Sequence, residues 1–293
     1  MKGRLVLVGS AIVDIVMYVD RLPERGGDVI ATGSSQQVGG GRNVLAAAAR
    51  QGMRTVYAGR LGSGPFGTQI TATLMAEGVE LAVPPVTDGD SGYCVALIEP
   101  DGERTFATSM GVEAHLSEDD LAMLTVHPDD TLYVSGYDLV YPHGPVIAGW
   151  LSQIPEAGLI FDPSPLVDLI DSQVLDTVLR RTRWLSLNAR EAAALGDHGR
   201  LSGGVVVRTG ERGCTVVQDG RSEEIPGFQV DPVDTNGAGD AHVGAFAAAL
   251  ARGDDPVTAA RAANAAAAIA VTRRGPASCP TLAETVDWLK RRR

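Results

Sequence analysis

The second half of this 293-residue sequence alternates short apolar runs with segments of helical period. The runs are short and mostly apolar, which is typical of strands. Strands that alternate with helices favour a parallel, doubly wound sheet, so we predict an α/β protein. The predicted strands cover residues 131–135, 158–162, 184–187 and 204–208, and the predicted helices cover about 145–153, 171–181, 189–195, 241–252 and 256–273.

The first half contains segments with the pattern of half-exposed strands. Residues 15–21 and 28–37 alternate apolar and polar side chains, as antiparallel strands do when one face meets water. Residues 91–99 and 104–109 form a predicted β-hairpin. Because no internal repeat or linker divides the chain, we expect one domain, residues 1–293, with a small β lid made of segments near 15–37 and 91–109.

The most distinctive polar stretch is Asp-Thr-Asn-Gly-Ala-Gly-Asp at 234–240, just before a helix of small apolar residues. Gly237 and Gly239 flank Ala238, so the backbone can turn its N–H groups inward, and the helix adds the positive end of its dipole. This pattern predicts an anion site. Asp240 stands in the first helical turn, where we expect the dipole to keep it ionised. An anion site with a proton acceptor on its rim suits phosphoryl transfer to a hydroxyl.

A second glycine-rich turn precedes the helix predicted at 44–52. Gly39, Gly40 and Gly41 allow the backbone to approach a small polar ligand closely, and Asn43 follows them. Asp14 lies shortly after the buried strand that we predict at residues 4–8. A carboxylate and an amide can each make two hydrogen bonds to vicinal hydroxyls, so Asp14 and Asn43 fit a neutral polyol.

Composition argues against several classes of protein. A net charge of −11 and a pI near 4.9 argue against a nucleic-acid partner. The longest apolar run, 265–271, is too short to span a membrane, and the N-terminus has no signal-peptide pattern, so we expect a soluble, cytoplasmic protein. The three cysteines lack metal-ligand spacing and predict thiols in a reducing compartment and no structural metal: Cys94, Cys214 and Cys279.

Residues 62–67 match the dinucleotide-binding pattern G-x-G-x-x-G. We reject a dinucleotide cofactor because Pro65 lies inside the turn and no acidic residue ends a second strand about 20 residues later. The hypothesis of a dinucleotide-dependent reductase has no support in the sequence other than these glycines.

The order of the motifs resembles that of the ribokinase-like, or PfkB, family of carbohydrate kinases, over essentially the full chain. The resemblance implies a three-layer α/β/α sandwich with a central, mostly parallel sheet and a small β-sheet lid. The stretch 234–240 is similar to the family signature D-T-x-G-A-G-D. It implies that Asp240 is the catalytic base and that the anion hole around the transferred phosphoryl group is formed by Gly237, Ala238 and Gly239.

Further roles follow from the same resemblance. Asn188 and Glu191 match the motif N-x-x-E, which implies that Glu191 holds Mg²⁺ through water while Asn188 faces the nucleotide phosphates. The implied sugar contacts are Asp14, Gly39, Gly40, Gly41 and Asn43. The implied nucleotide contacts are Asn188, Arg208, Gly210, Gly213 and Asn264.

The sequence departs from the family pattern at several positions. Gly40 replaces a lysine found in ribokinases, which weakens ribose as the substrate, and Arg208 replaces the common threonine of the nucleotide loop. Asp234 is a candidate ligand for K⁺, but Asn236 and Cys279 stand where other oxygen ligands of that site are expected.

Together these features predict an ATP-dependent kinase that moves the γ-phosphoryl group of ATP to a hydroxyl of a sugar or sugar derivative, with Mg²⁺ as cofactor. A nucleoside kinase is the alternative within the same chemistry, with Tyr93, Phe106 and Tyr137 available to stack on a base. An inactive sugar- or nucleotide-binding regulator is a third hypothesis, although it would need neither Asp240 nor Glu191.

The predicted lid also indicates a protein partner. Ile15, Met17, Val95 and Leu97 would lie on one exposed face of its sheet. Lids of this family often form dimer contacts, so the resemblance implies a homodimer through the lid.

Overall fold

The computed structural model describes residues 3–154, 157–196, 201 and 203–292. Within these ranges the strands are β1 (Arg4–Leu7), β2 (Ala11–Tyr18), β3 (Gly33–Gly40), β4 (Arg54–Tyr57), β5 (Glu80–Leu81), β6 (Tyr93–Ile98), β7 (Arg104–Ser109), β8 (Thr131–Ser135), β9 (Gly158–Asp162), β10 (Thr182–Asn188), β11 (Gly204–Arg208), β12 (Gly213–Gln218) and β13 (Arg221–Pro226). The helices are α1 (Arg42–Arg50), α2 (Pro65–Ala76), α3 (Glu118–Ala122), α4 (Gly136–Val140), α5 (Gly144–Gln153), α6 (Ser172–Arg181), α7 (Ala189–Leu195), α8 (Ala238–Arg252), α9 (Pro256–Ala270) and α10 (Leu282–Lys290).

The large sheet has the spatial order β13-β12-β11-β10-β9-β8-β1-β4-β5. Every neighbouring pair from β11 to β5 is parallel, and only the edge pairs β11–β12 and β12–β13 are antiparallel within the described ranges. The parallel sheet predicted from the strand and helix alternation is therefore confirmed. Because all parallel strands point the same way, their carboxyl ends meet along one edge.

Both faces of the large sheet are buried, as its apolar strands predict. In and just after β1, Leu5 and Leu7 belong to a core shared with α1, α8 and α9, whereas Val6 and Val8 belong to a second core shared with α5 and α6. Successive side chains of a strand point to opposite faces, so the helices form one layer on each side. The predicted three-layer α/β/α sandwich is confirmed.

Small residues allow α8 to lie very close to α1. A Cβ atom on Gly244 would be 2.6 Å from the Cβ of Ala47 and 2.6 Å from the carbonyl oxygen of Val44, so the two backbones meet where a side chain would stand. This contact fixes α8 against the sheet and places its N-terminus near the carboxyl ends of the strands.

The small sheet has the order β3-β2-β6-β7. The β6–β7 hairpin matches the prediction, but the predicted bounds of the other two strands were wrong. Strand β2 begins at Ala11, and β3 ends at Gly40, because these two residues pair with each other in an antiparallel ladder. The ladder therefore continues into both polar turns and places Asp14 inside β2.

The predicted exposed apolar face of the small sheet was also wrong. Ile15 packs against the core that the large sheet shares with α1, α8 and α9. The other three predicted residues are half-buried: Met17, Val95 and Leu97. Strongly exposed apolar side chains lie elsewhere on and beside the sheet, at Tyr18 (48% exposed), Ile30 (89%) and Phe106 (61%).

Helix α10 was not predicted from the sequence. Its start carries a capping box in which Thr281 and Glu284 bond each other's backbone N–H groups, a signal that the residue types would have revealed. Of the helices in the described ranges, none combines the length and apolar character that a bilayer crossing requires.

Candidate active site

A cavity of about 650 Å³ lies between the two sheets. Its floor is formed where β1, β8, β9, β10 and β11 reach their carboxyl ends, and its roof is formed by β2, β6 and β7. The carboxyl edge of a parallel sheet is the usual binding site of open α/β folds. Eight of the site residues predicted from the sequence border this cavity: Asp14, Gly40, Gly41, Asn43, Glu191, Arg208, Gly239 and Asp240.

The predicted anion hole lies at the start of α8. Gly237 precedes the helix with φ +74°, and a side chain there would overlap the carbonyl oxygen of Pro276, so the position requires glycine. N–H groups in a first helical turn have no partner within the helix and point out of its end. Gly239 borders the cavity, whereas Gly237 and Ala238 do not, and the Ala238 N–H donates to Thr235 at 3.3 Å. Of the three predicted residues, Gly239 is thus the one placed to meet an anion in the cavity.

Asp240 borders the cavity from the first turn of α8. Its Oδ2 accepts a hydrogen bond from Nδ2 of Asn43 at 3.0 Å. Burial raises the pKa of Asp240 to about 6; the Asn43 hydrogen bond opposes the rise, the Asp162 charge adds to it and Arg208 opposes it. The helix dipole was expected to favour the ionised form, whereas the largest influence on this pKa is burial, which favours the protonated form. Asp240 is consequently a stronger base than an ordinary aspartate.

The part of the cavity beside the small sheet, here called the small-sheet half, is bordered by Ile12, Asp14, Asn43, Cys94, Phe106, Thr108 and Tyr137. Burial raises the pKa of Asp14 to about 6, and the charge of Asp240 adds to the rise. Among the described residues none donates a hydrogen bond to this carboxylate. Gly39 packs directly against it, because a side chain at that position would overlap Oδ2 of Asp14.

The opposite part of the cavity, here called the strand-end half, is bordered by Asp162, Ser164, Glu191 and Arg208. Arg208 Nη1 donates to Asp162 Oδ2 at 2.9 Å and to the Ser186 hydroxyl at 2.6 Å, and Nη2 lies 3.5 Å from Glu191 Oε2. The guanidinium carbon is also 3.6 Å from the point where a Cβ of Gly239 would stand. Arg208 therefore bridges two carboxylates beside the start of α8.

Asn188 and Glu191 form a capping box at the start of α7. Asn188 Oδ1 accepts from the Glu191 N–H at 2.9 Å, and Glu191 accepts from the backbone N–H and the side-chain Nδ2 of Asn188 at 2.7 and 2.6 Å. The Asn188 side chain is thus engaged with Glu191 and does not border the cavity. Burial raises the pKa of Glu191, and Asp162 adds to the rise. In this structure Asn188 orients Glu191, and its predicted role toward the nucleotide phosphates stays a prediction.

The remaining predicted nucleotide contacts lie outside the cavity lining. Gly210 and Gly213 have φ of +64° and +100° and shape the turn that follows Arg208. Asn264 Nδ2 donates to backbone carbonyls at the end of β13, and its Oδ1 lies 3.2 Å from His242 Nε2. The amide of Asn264 therefore ties α9 to β13 and α8, and its predicted role beside an adenine stays a prediction.

The glycine turn at 62–67 contains a carboxylate of the chain itself. The backbone N–H groups of Phe66 and Gly67 donate to Asp90 at 3.0 and 2.7 Å, at the start of α2. The positions that a dinucleotide pyrophosphate would use are thus taken by Asp90.

A model of the pfkB family of carbohydrate kinases matches residues 2–282. This chain belongs to the pfkB family of carbohydrate kinases. It is accordingly an ATP-dependent sugar kinase, in agreement with the activity that the sequence predicts.

Relatives of this kinase share its full length. It is 33% identical over 299 residues to the uncharacterized sugar kinase YegV of Escherichia coli, covering 97% of this chain and 93% of that protein. It is 30% identical over 303 residues to the ATP-dependent ribose-1-phosphate kinase of Halopiger xanaduensis, covering 99% of each. Its fold matches a ribokinase of Cryptococcus neoformans in complex with ADP, with a TM-score of 0.83, 22% identity and coverage of 98% and 99% of the two chains.

The strand-end half of this kinase fits magnesium when a phosphate ligand is present. Mg²⁺ prefers oxygen ligands, and proteins bind it through one or two carboxylates together with substrate phosphates and water. Asp162 and Glu191 supply two carboxylates on one wall. Across the described residues, no three His, Cys, Asp or Glu side chains group closely enough to hold a metal by themselves.

The candidate potassium ligand, Asp234, has other partners in this kinase. Its Oδ1 accepts from the Asn236 N–H at 2.9 Å and lies 3.3 Å from Nη2 of Arg104, and its Oδ2 accepts from the Gly275 N–H at 3.1 Å. The guanidinium of Arg104 provides the positive charge that a K⁺ ion would bring. The residues present therefore do not fit a potassium ion at Asp234 unless Arg104 moves away.

Sequence reasoning missed Asp162 and misplaced one aromatic residue. Asp162 ends β9, so its position at the carboxyl end of a buried strand was the available signal. Tyr93 does not border the cavity; it packs on Phe66 of α2 with ring centroids 5.3 Å apart. Phe106 and Tyr137 do border it.

Proposed function

We propose that this kinase transfers the γ-phosphoryl group of ATP to a sugar hydroxyl held in the small-sheet half, with Asp240 as the base. The observation that carries this proposal is the position of Asp240 at the N-terminus of α8. There it stands between the small-sheet half of the cavity, whose acceptors are unpaired, and the strand-end half, whose arginine is paired. Such a position lets one carboxylate reach the attacking hydroxyl while the helix end meets the transferred group.

The protein's own groups would divide the chemistry as follows. Asn43 holds Oδ2 of Asp240, which leaves Oδ1 to accept the proton of the attacking hydroxyl. The N–H groups of the first turn of α8 stabilise the charge that spreads over the transferred phosphoryl oxygens. Gly237 is needed for the turn that starts this helix, Ala238 is its first residue, and Gly239 offers the N–H group that borders the cavity.

Arg208 is proposed to contact the nucleotide phosphates. Its guanidinium lies beside Gly239, and the sequence contains no P-loop lysine to supply a cation there. When phosphates attract Arg208, Asp162 and Glu191 lose their cationic partner. These two carboxylates would then hold magnesium, Glu191 through water, and bound magnesium neutralises charge on the phosphate oxygens. Gly210 and Gly213 would shape the nucleotide loop, while Asn188 and Asn264 support it through the contacts described above.

The sugar is proposed to bind under the small sheet. Asp14 accepts its hydroxyl hydrogens, and the backbone at Gly39, Gly40 and Gly41 leaves space for it. With the sugar bound, the small sheet acts as a lid that excludes water, which would otherwise compete as the phosphoryl acceptor. The Halopiger relative is named for a sugar phosphate, so sugar phosphates are candidate acceptors beside free sugars.

A homodimer through the small sheet is also proposed. Tyr18, Ile30 and Phe106 are strongly exposed apolar side chains on and beside that sheet, and their burial by a second copy would be favourable. Light scattering should give twice the mass of the chain, and Ile30→Asp should return a monomer. A monomeric wild type at high concentration would contradict the dimer. The three cysteines are buried and unpaired, which supports a cytoplasmic location.

A nucleoside kinase is the second candidate. Phe106 and Tyr137 border the small-sheet half and are 61% and 44% exposed, so both rings are available to a purine or pyrimidine base. A purely binding regulator is disfavoured because Asp240 keeps a raised pKa and a fixed orientation that binding alone does not require.

A coupled assay of ADP release tests the proposal. Pentoses, hexoses and nucleosides should be supplied singly with MgATP, and at least one class should release ADP at a rate that depends on acceptor concentration. The same rate should collapse in Asp240→Asn and persist in Asp254→Asn, which removes a carboxylate beyond the far end of α8. A rate of ADP release that does not change with the concentration of any acceptor would contradict a sugar or nucleoside kinase.

A further inference from the structure

The two halves of the cavity differ in the charges that a ligand would meet. Among the described residues that border the small-sheet half, the only charged side chain is Asp14, and Asp240 stands at its boundary with the strand-end half. The other side chains that border it are uncharged: Ile12, Asn43, Cys94, Phe106, Thr108 and Tyr137. A ligand in this half therefore faces two carboxylates and no cation.

The arginine that borders the cavity and the arginine on the roof strand β7 are both paired. Arg208 is held by Asp162 and Glu191 in the strand-end half. Arg104 lies on β7, the strand that carries Thr108, but its guanidinium is 3.3 Å from the Asp234 carboxylate. To neutralise an anionic group on a ligand under the small sheet, either arginine would have to break its present ion pair.

Two acceptor groups of this half have no hydrogen-bond donor among the described residues. The Asp14 carboxylate receives no hydrogen bond from any described residue. The Asn43 Oδ1 atom is buried, and no partner for it exists in the described part of the chain. Hydroxyl groups satisfy such acceptors, whereas phosphate and carboxylate oxygens on a ligand would repel them.

We infer that the phosphoryl acceptor of this kinase is an uncharged polyol, either a free sugar or the ribose of a nucleoside, and that sugar phosphates and sugar acids are excluded. This inference rests on the proposed function and specifies its acceptor. One extra negative charge about 7 Å from a carboxylate, at an effective dielectric constant near 20, lowers binding by on the order of 50-fold. Two carboxylates make the penalty larger, and a phosphate carries more than one charge.

The shape of the uncharged wall agrees with this acceptor. Ile12, Phe106 and Tyr137 provide apolar surface in the same half as the oxygens of Asp14 and Asn43. A sugar ring has hydroxyls at its edge and C–H groups on its face, so it can meet both walls at once. An added anionic group would have to leave the cavity or displace Arg104 from Asp234.

Matched acceptor pairs test the inference directly. ADP release should be measured with each aldose beside its 1-phosphate and its aldonic acid, and with each free pentose beside its nucleoside. We expect kcat/KM for the uncharged member to exceed that of its charged partner by at least about 100-fold. Turnover of the charged members alone would overturn this inference, but the proposed kinase activity would still stand. Failure of every acceptor would overturn the proposed function and this inference with it.

Two variants of β7 provide a matched control. Thr108→Arg puts a cation into the small-sheet half, whereas Thr105→Arg puts the same cation on the opposite face of the strand, because successive side chains alternate. Thr108→Arg should raise kcat/KM for an aldose 1-phosphate at least about 10-fold relative to the free aldose, and Thr105→Arg should keep wild-type selectivity. Circular dichroism and thermal unfolding establish that both are folded. A folded Thr108→Arg with unchanged selectivity would overturn the inference.

Discussion

The small-sheet half and the strand-end half of the cavity both contain buried carboxylates, but only one half neutralises them. In the strand-end half, Arg208 stands between Asp162 and Glu191 at hydrogen-bonding or ion-pair distance. In the small-sheet half, Asp14 has no cationic partner, and burial raises its pKa to about 6. A buried carboxylate without a partner is costly, so its persistence indicates a task that pairing would prevent.

The difference matches the two substrates that a sugar kinase must hold. Phosphates bring negative charge and need a cation nearby, which Arg208 supplies once it is drawn from its carboxylates. A hydroxyl group brings a hydrogen-bond donor and a proton to be removed, and free carboxylates serve both needs. Asp240 stands where the two halves meet, and it is influenced by Asn43 from one side and by Asp162 and Arg208 from the other.

The most severe test removes the base at the boundary. Asp240→Asn keeps the size of the side chain and an oxygen for Asn43, but it cannot accept the hydroxyl proton. We expect kcat to fall by about 10²–10⁴-fold with little change in nucleotide affinity. Single-turnover kinetics and nucleotide titration measure the two effects, with Asp254→Asn as the control. Near-normal turnover would remove Asp240 from the mechanism.

The strand-end half is tested by removing its cation. Arg208→Met should lower kcat/KM for ATP by about 10²-fold, because the phosphates lose a charge-assisted contact, and Arg208→Lys should recover part of the loss. Free Mg²⁺ should also bind the nucleotide-free Arg208→Met variant more tightly, since Asp162 and Glu191 are left unpaired; calorimetry measures this. Arg221→Met on the exposed strand β13 is the control. Equal Mg²⁺ affinity in both variants would contradict the proposed exchange of partners.

The small-sheet half is tested by neutralising Asp14. Asp14→Asn should raise KM for the sugar by about 10–100-fold while KM for ATP stays constant, because only hydrogen bonds to the acceptor are lost. Asp20→Asn, an exposed carboxylate just beyond β2, should behave as wild type. A parallel rise of both KM values would show that the two halves are not separable as described.

A smaller effect is expected at Glu191. Gln at this position can still bond the N-cap backbone of α7, so Glu191→Gln removes charge and keeps the capping box. We expect the Mg²⁺ concentration for half-maximal rate to rise several-fold before any loss of the saturating rate. Glu223→Gln on β13 is the control. An unchanged Mg²⁺ titration would count against Glu191 as a metal-holding residue.

The mildest test is pH. Because burial raises the pKa of the base Asp240 to about 6, kcat/KM should fall by roughly tenfold per unit below that pH. Stability should change in the opposite direction. Asp14, Asp138 and Asp240 bind protons more readily folded than unfolded, so their protonated forms stabilise the fold at acid pH, and this stability is lost as pH rises through about 6. Thermal unfolding of wild type and Asp240→Asn from pH 4 to 7 measures it; a difference that does not vary with pH would contradict the assigned shift.

Local patterns in the sequence determined much of this protein. The alternation of apolar runs with helical segments predicted the parallel sheet, and the glycines at 237 and 239 predicted a helix with Asp240 in its first turn, although α8 begins at Ala238 and not at 241. These features depend on neighbours within a few residues, on backbone freedom and on side-chain periodicity, all of which a single sequence displays. The bounds of β2 and β3 failed because their ladder is set by pairing between residues 15 to 29 positions apart, from Tyr18 with Gly33 to Ala11 with Gly40.

Only the tertiary structure decided which charges are paired. The sequence named Arg208, Glu191 and Asp234 but gave no sign that Arg208 would bridge Glu191 to Asp162, or that Arg104 would reach Asp234. Parallel strands bring their carboxyl ends together through crossover helices, so residues far apart in the chain become neighbours there. Pairing changes both the charge a ligand meets and the pKa of each acid, because Coulomb interactions depend on distance in space and not on separation along the chain.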